Sequence, residues 1–413
     1  MRILSGGEAE AMVRRLEQRG TQIDRLEPRV RRMVNDVRRD GDRALRRYAQ
    51  RWDGLASGQA LQVSESEMSA AWNSLPSSLR KSLRQATQNI RRFCEWQKPK
   101  AWRRTRQGIS LGQLVLPLES VGCYVPGGRY PLVSTVLMTV IPAQVAGVKS
   151  ICVVSPRPSP QVLGAAAMLG VTKCFRIGGA QSIAALAYGT ESIQQVDKIV
   201  GPGSSFVTVA KKLVSFDCAI DFLAGPTEAL LVSHSGNPEF IAADLVAQAE
   251  HDAEALSLFV TTSRTLGRAV ADSVKRLAAE NPTAAQSLRK QGAILIAKSR
   301  EQALEWANRL APEHITVESD DLHFIHSAGS VFVGDYSAQA AGDYASGPNH
   351  VLPTSGQARF RGGLSVLDFV KIITVQELTP AGLRRIGRTI ESLADAEGLP
   401  AHANSIKVRC GHA

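Results

Sequence analysis

VGCYVPGG, residues 121–128, decides the fold. A short run of apolar and small residues passes directly into Pro-Gly-Gly. That reads as a buried strand closed by a turn whose glycines let backbone approach a ligand. The same phrase returns downstream. KSICVVSP (149–156), KCFRIGG (173–179) and DKIVGPG (197–203) are short apolar runs closed by Gly or Pro, and CAIDF (218–222) is another strand. The intervening segments 161–169, 181–188 and 206–215 read as helices. Such alternation implies a parallel sheet covered by helices on both faces.

The pattern then repeats. EALLVSH (228–234), LSLFVTTS (256–263), GAILIAKS (292–299), HITVES (314–319) and GSVFVG (329–334) read as strands. Helices are predicted over 238–251, 265–279 and 301–310. The chain is therefore α/β, with two open parallel-sheet domains. Residues 7–107 read as mostly helical, on the spacing of Val30, Met33, Val34 and Val37. One amphipathic helix there ends at Gly54, and a two-stranded element follows near 109–115. After residue 358 the chain is expected to be helical again and to end in an extended tail.

Composition narrows the class. The chain has 413 residues, long enough for two or three domains, and 44% hydrophobic content. No stretch approaches the roughly 18 apolar residues of a membrane helix, and no apolar leader stands at the N-terminus. A cytoplasmic location and no membrane partner are expected. No two of the six cysteines have the spacing of a metal or redox motif, and Cys123 reads as a core residue rather than a nucleophile. The net charge of +11 is confined to one region: residues 1–107 hold 24 Lys and Arg against 12 Asp and Glu, the remainder 25 against 26. Acids interleave with these arginines at helical spacing and aromatics are sparse. The segment reads as a solvated helical face, and no nucleic-acid partner is expected.

Several residues could carry chemistry. In open parallel sheets ligands bind outside the carboxyl ends of strands. Three Gly-bearing turns stand there: Tyr124 to Gly128, Gly178 to Gln181, and Gly201 to Ser204. A helix N-terminus after such a turn favours phosphate, although the GxGxxG fingerprint is absent. Gln248 and His251 lie three apart on a predicted helix, and Ile241 and Leu245 turn that face inward. Alone, such a pair is ordinary hydrogen-bonded structure. With Asp343, expected in a Gly-rich loop, and His402, in the tail, it becomes a possible metal site. Glu313-His314 stands at a loop-to-strand junction, where both side chains reach one pocket and suit two different proton transfers. His323 and His326 are also three apart, but nothing converges on them, and they read as surface residues.

Taken in order, these elements resemble the histidinol dehydrogenase family from about residue 121 to 408. The stretches that carry the resemblance include YVPGG (124–128), GGAQSIAALAYGTES (178–192), AGPTE (224–228), DLVAQAEHD (244–252), APEH (311–314), AGDYASGPNHVLPT (341–354) and LADAEGLPAHANSI (393–406). The resemblance implies Rossmann-like domains and oxidation of L-histidinol to L-histidine through the aldehyde, with two NAD. It implies one zinc ion per subunit, held by Gln248, His251, Asp343 and His402, that orients the substrate. It implies His314 as base toward the hydroxyl and Glu313 as activator of the water that hydrates the aldehyde. Thr227, His350 and Glu397 match substrate-contacting positions, as do Gln248, His251, His314, Asp343 and His402. Tyr124, Gln181 and Ser204 match NAD-contacting positions. Ser204 replaces the family's usual Asn and Thr227 its commoner Ser. An intertwined homodimer is implied, in which the tail serves the neighbouring site. The expected division places 1–20 with the C-terminal part. It joins 21–123 with 228–360 as one α/β domain. It makes 124–227 a second domain on the NAD side, and 361–413 the helical part with the dimer-crossing tail. The alternative is a related zinc and NAD dehydrogenase of another small alcohol, such as a sulfonated diol.

Overall fold

The computed structural model describes residues 1–20, 24–127 and 132–411. Gly128 of the first Gly-bearing turn lies outside them. Both expected parallel sheets are present. The first runs in the order Gln62–Val63, Lys173–Phe175, Ser150–Val154, Ser120–Tyr124, Lys198–Val200, Ala219–Ile220. Its neighbours are parallel except Gln62–Val63, which pairs antiparallel with the strand beside it. Numbered along the chain from Ser120–Tyr124, the parallel strands stand 3-2-1-4-5. The connection therefore reverses direction between Ser120–Tyr124 and Lys198–Val200, which makes the crevice at their carboxyl ends a ligand position.

The second sheet repeats the design. Its order is Arg2–Ser5, Ala293–Ile296, Leu256–Thr261, Glu228–Val232, His314–Val317, Ser330–Val333, parallel throughout. Again the order is 3-2-1-4-5, with the N-terminal strand added at one edge. The central strands of each sheet are buried on both faces. Helices Val133–Ala146 and Pro160–Met168 cover one side of the first sheet, and Gly179–Tyr188 and Ser205–Val214 the other.

The expected division of the chain is corrected by this packing. Helix Glu27–Tyr48 puts Val30, Met33, Val37 and Leu45 into one core with Tyr124, Ile183 and Val207. Met68, Leu83 and Ile90 share another core with Val121 and Val136. Residues 27–97 thus cover the first sheet, not the sheet built from 228–333. Helix Gly6–Glu17 buries Met12, Val13 and Leu16 against Trp306 and Leu310, so the N-terminal segment belongs with the second sheet rather than the C-terminal part. The cause is geometric: a doubly wound half supplies too few crossover helices to cover both faces, and flanking amphipathic helices complete the cover.

A second correction concerns the C-terminal part. Val370–Leu378 is a strand, not helix, and pairs antiparallel with Ile109–Pro117, which pairs with Trp102–Arg106. The run VKIITVQEL is rich in β-branched residues, and that signal outweighs the helical reading. Helices Pro380–Ala396 and Pro400–Cys410 then form the tail. The basic helix Glu27–Tyr48 is a solvated face, as expected: Arg31 pairs with Glu27, Arg39 with Asp36 and Arg43 with Asp40. Among the described residues no helix is long and apolar enough to cross a membrane.

Candidate active site

The segment 221–227 carries the chain from the carboxyl edge of the first sheet to the amino edge of the second. Chemistry-bearing side chains therefore gather at opposite strand ends of the two sheets. Thr227 immediately precedes Glu228–Val232, and Glu313 immediately precedes His314–Val317. Those two strands are neighbours, with Ala229 beside His314. Gln248 sits in the last turn of helix Pro238–Ala249 and returns to the same edge.

Glu313 and His314 are both buried. The Glu313 carboxylate accepts the Thr227 hydroxyl at 2.6 Å and the Glu228 N–H at 2.9 Å, both on Oε2. Burial pushes the Glu313 carboxyl up to about 7, against the downward pull of the His314 charge and of these two donors. The His314 ring lies with Nδ1 3.8 Å from Glu313 Oε2 and Nε2 3.3 Å from Asp343 Oδ1. Burial alone would lower its basicity, but the two carboxylates outweigh burial and raise it. Phe332 stacks on the ring with centroids 5.8 Å apart, which fixes its plane.

Asp343 Oδ2 accepts the Gln248 amide N–H at 3.1 Å. Its carboxyl is held below the usual range because the His314 bond and the His314 charge outweigh the upward effect of burial. The carbonyl of Asp343 accepts from His350 Nδ1 at 2.7 Å, which leaves the other ring nitrogen of His350 free to face a ligand. Thus Thr227, Gln248, Glu313, His314, Asp343 and His350 meet at one place.

Two local expectations are corrected. The helix ends at Ala249, so His251 stands in the exposed turn beyond it and shares no helix face with Gln248. Asp343 lies on the short helix Gln339–Tyr344, not in a loop. His323 lies in a 3-10 turn (Ser319–Phe324) and His326 just beyond it, and both are apart from the site. Glu397 and His402 are exposed on the tail, and no hydrogen bond or ion pair joins them to the site residues. Among the described residues no group of three or more His, Cys, Asp or Glu side chains is arranged to hold a metal.

The residues expected to meet a dinucleotide lie at the carboxyl edge of the first sheet. Tyr124 ends the central strand and its hydroxyl accepts the Gly179 N–H at 3.3 Å. Ser204 is the exposed N-cap of helix Ser205–Val214, in the turn that follows the strand across the reversal point. Gly201 has φ +115° and approaches so closely that a side-chain carbon there would stand 2.1 Å from the Tyr124 carbonyl oxygen. Gln181 is buried. Its Nε2 donates to Asp53 at 3.0 Å, while its Oε1 has no partner. Sequence reasoning missed Asp53, which also accepts the Gly178 N–H at 2.9 Å. Its only signal is the position before Gly54, where the helix widens into a π turn, Ala49–Asp53.

It also missed the buried pair Lys211–Asp221, at 2.5 Å. Lys211 donates to the Gly201 carbonyl at 2.6 Å, and Asp221 accepts the Gly201 N–H at 2.8 Å. The pair clamps the turn that carries Ser204. Lys211→Met leaves Asp221 as an uncompensated buried charge. Urea unfolding is expected to show a loss of about 3–5 kcal/mol.

Comparison with known proteins gives the family. The histidinol dehydrogenase family model matches residues 16–410. The chain is 44% identical to "Histidinol dehydrogenase" of Geobacter sulfurreducens, over 97% of this chain and 96% of the relative. It is 45% identical to that of Syntrophotalea carbinolica, over 99% of each. The crystal structure of histidinol dehydrogenase from Elizabethkingia anophelis superposes with a TM-score of 0.94 at 36% identity, covering 100% of this chain and 98% of that one. The chain belongs to the histidinol dehydrogenase family.

Proposed function

We propose that this chain oxidises L-histidinol to L-histidine through the aldehyde, as the last step of histidine biosynthesis, with two hydride transfers to NAD. The observation that carries the reading is the meeting of Glu313 and His314 with Asp343, Gln248, Thr227 and His350. Hydride transfer is the cofactor's own chemistry. The protein must remove one proton from the alcohol and another from a water. His314 would take the hydroxyl proton on its ring, which the Nε2 contact with Asp343 holds in place. Glu313 would take the water proton at Oε1, while Thr227 and the Glu228 N–H hold Oε2 in place. Two bases beside one carbon let both oxidations finish before the aldehyde escapes.

The donor set fits zinc. Gln248 and Asp343 are buried together, the Asp343 carboxyl is biased toward its anion, and His251 lies near enough to act electrostatically on it. These three would hold the ion, with His402 as fourth ligand. When bound, zinc would orient the substrate's imidazole and amine. Tyr124, Gln181 and Ser204 would contact NAD, and the partnerless Gln181 Oε1 supports that placement. A homodimer accounts for the distance of Glu397 and His402 from their own site. The exposed Leu111, Leu114, Ile372 and Ile373 of the small sheet support it as an apolar contact surface. The assignment to the cytoplasm follows from the biosynthetic role.

The test is NADH formed per L-histidinol consumed by the purified chain. Two NADH per substrate, lost on chelation and restored by zinc, are expected. No NADH from histidinol in zinc-loaded protein would overturn the reading. The aldehyde step should also depend on pH. Glu313 acts as a base only when ionised, and its raised value means the carboxylate is lost as pH falls through about 7. The rate of aldehyde oxidation should therefore drop between pH 8 and pH 6. A flat profile there would remove Glu313 from the role.

A further inference from the structure

Arg19 reaches the start of the central strand of the second sheet. It follows the first helix, Gly6–Glu17, and its guanidinium forks onto Glu228, with Nε to Oε1 and Nη2 to Oε2 both at 2.7 Å. Further N–H groups donate to the carbonyls of Leu16 at 2.8 Å and Leu310 at 2.7 Å. The pair is largely removed from water, with the side chains 14% and 5% exposed. Glu228 Oε1 also accepts the Ser355 N–H at 2.9 Å. Next to it, Thr354 Oγ1 accepts the Gly225 N–H at 2.6 Å. One carboxylate thus ties three separate segments together: the N-terminal segment, the start of the central strand and the 354–355 loop.

The same residue touches the catalytic machinery with its backbone. The Glu228 N–H and the hydroxyl of the preceding Thr227 both donate to Glu313 Oε2. An arginine fork is a rigid, directional anchor for a carboxylate. A buried ion pair is weak evidence for stability, since apolar residues of similar volume often serve as well. What this pair supplies is a fixed position for two donors on the reacting carboxylate. We propose that Arg19 is a positioning residue for Glu313, acting through Glu228, and that it sets the rate of the second oxidation more than the first. The proposal rests on the reading of Glu313 as the base that activates water.

Removing Arg19 leaves the Glu228 carboxylate buried without its cation. Glu228 must then move toward water or draw in a proton, and the Thr227–Glu228 donors move with it. A misplacement of about 1 Å beside reacting atoms costs on the order of 100-fold. His314 also meets the Glu228 backbone, but Asp343 and Phe332, which hold its ring, do not contact Arg19, so the first proton transfer keeps most of its geometry.

The experiment uses the full-length zinc-loaded enzyme and measures the two oxidations separately, with L-histidinol and with L-histidinaldehyde supplied directly. Arg19→Met is expected to lower kcat for the aldehyde about 10- to 100-fold. Its KM, the zinc content and the alcohol step should stay within about threefold, the scale of a change away from the reacting atoms. Arg19→Lys keeps the charge but not the fork and should fall between. Arg19→Met with Glu228→Gln removes both charges and should recover most of the lost rate. Equal loss at both steps, or a double variant no better than Arg19→Met, overturns the positioning role. Should Arg19→Met fail to fold, Arg19→Lys carries the same comparison of steps. Glu313→Gln separates the two failures. If it slows both oxidations alike, the reading of Glu313 is wrong. If it is selective while the Arg19 variants are not, only the role of Arg19 is wrong.

Discussion

Glu313→Gln leaves the first oxidation running and stalls the second. The substitution keeps the size of the side chain and its hydrogen bonds with Thr227 and the Glu228 amide within reach, but removes the base. General-base catalysis contributes about 100- to 10,000-fold, so the aldehyde step should slow by that range. The alcohol step loses only the electrostatic support that Glu313 gives the His314 ring at 3.8 Å and should fall far less. A single turnover would then yield about one NADH per histidinol quickly and the second slowly. His314→Asn is the contrast. It removes the ring that faces both Glu313 and Asp343, and both steps should slow together. The measurement is the ratio of the two NADH phases in each variant. Equal loss of both phases in Glu313→Gln would give Glu313 a structural role instead.

The fold was legible because parallel strands buried on both faces are continuous apolar runs, and the Gly and Pro residues that close them punctuate the chain. Ser120–Tyr124 and Glu228–Val232 stand where those runs stand. The division of the chain was not legible. An amphipathic helix such as Glu27–Tyr48 shows in its sequence that it buries Val30, Met33 and Val37, but not against which sheet. Asp343 and His251 illustrate the same limit at the scale of a turn. Their side-chain types pointed to the site, while the last turn of helix Pro238–Ala249 and the short helix Gln339–Tyr344 depend on neighbours that a local pattern does not contain. Arg19, Asp53 and Lys211 were invisible for a related reason. Each acts through a partner on another element, Glu228, Gln181 and Asp221 with its turn, and each is an ordinary polar residue of its own segment. Glu313-His314 was legible because adjacent groups at a strand start need no tertiary partner to share a pocket.

Removing everything after Glu391 should abolish both zinc binding and activity. The deletion takes Glu397, exposed just after helix Pro380–Ala396, and His402, exposed on helix Pro400–Cys410, which join no side chain of their own site. If a second copy's tail completes the metal site, its loss leaves Gln248, His251 and Asp343 as an incomplete set. A truncated chain with one zinc per subunit would sink the idea. Truncation also removes a helix that packs on its neighbour, so a point substitution separates folding from ligation. His402→Ala should fold, lose zinc and lose activity. Mixing it with Glu313→Gln then tells which subunit each tail serves. In a hybrid of the two variants, a tail that crosses leaves one site with both lesions and the other with none. A tail that stays at home leaves each site with one lesion. Two variants that each fail the second oxidation should therefore regain it on mixing and refolding. About half of the sites in each hybrid should work, as the two-fold symmetry of a closed dimer requires. No recovery in hybrids verified by mass would place His402 in its own subunit's site and refute the crossing tail.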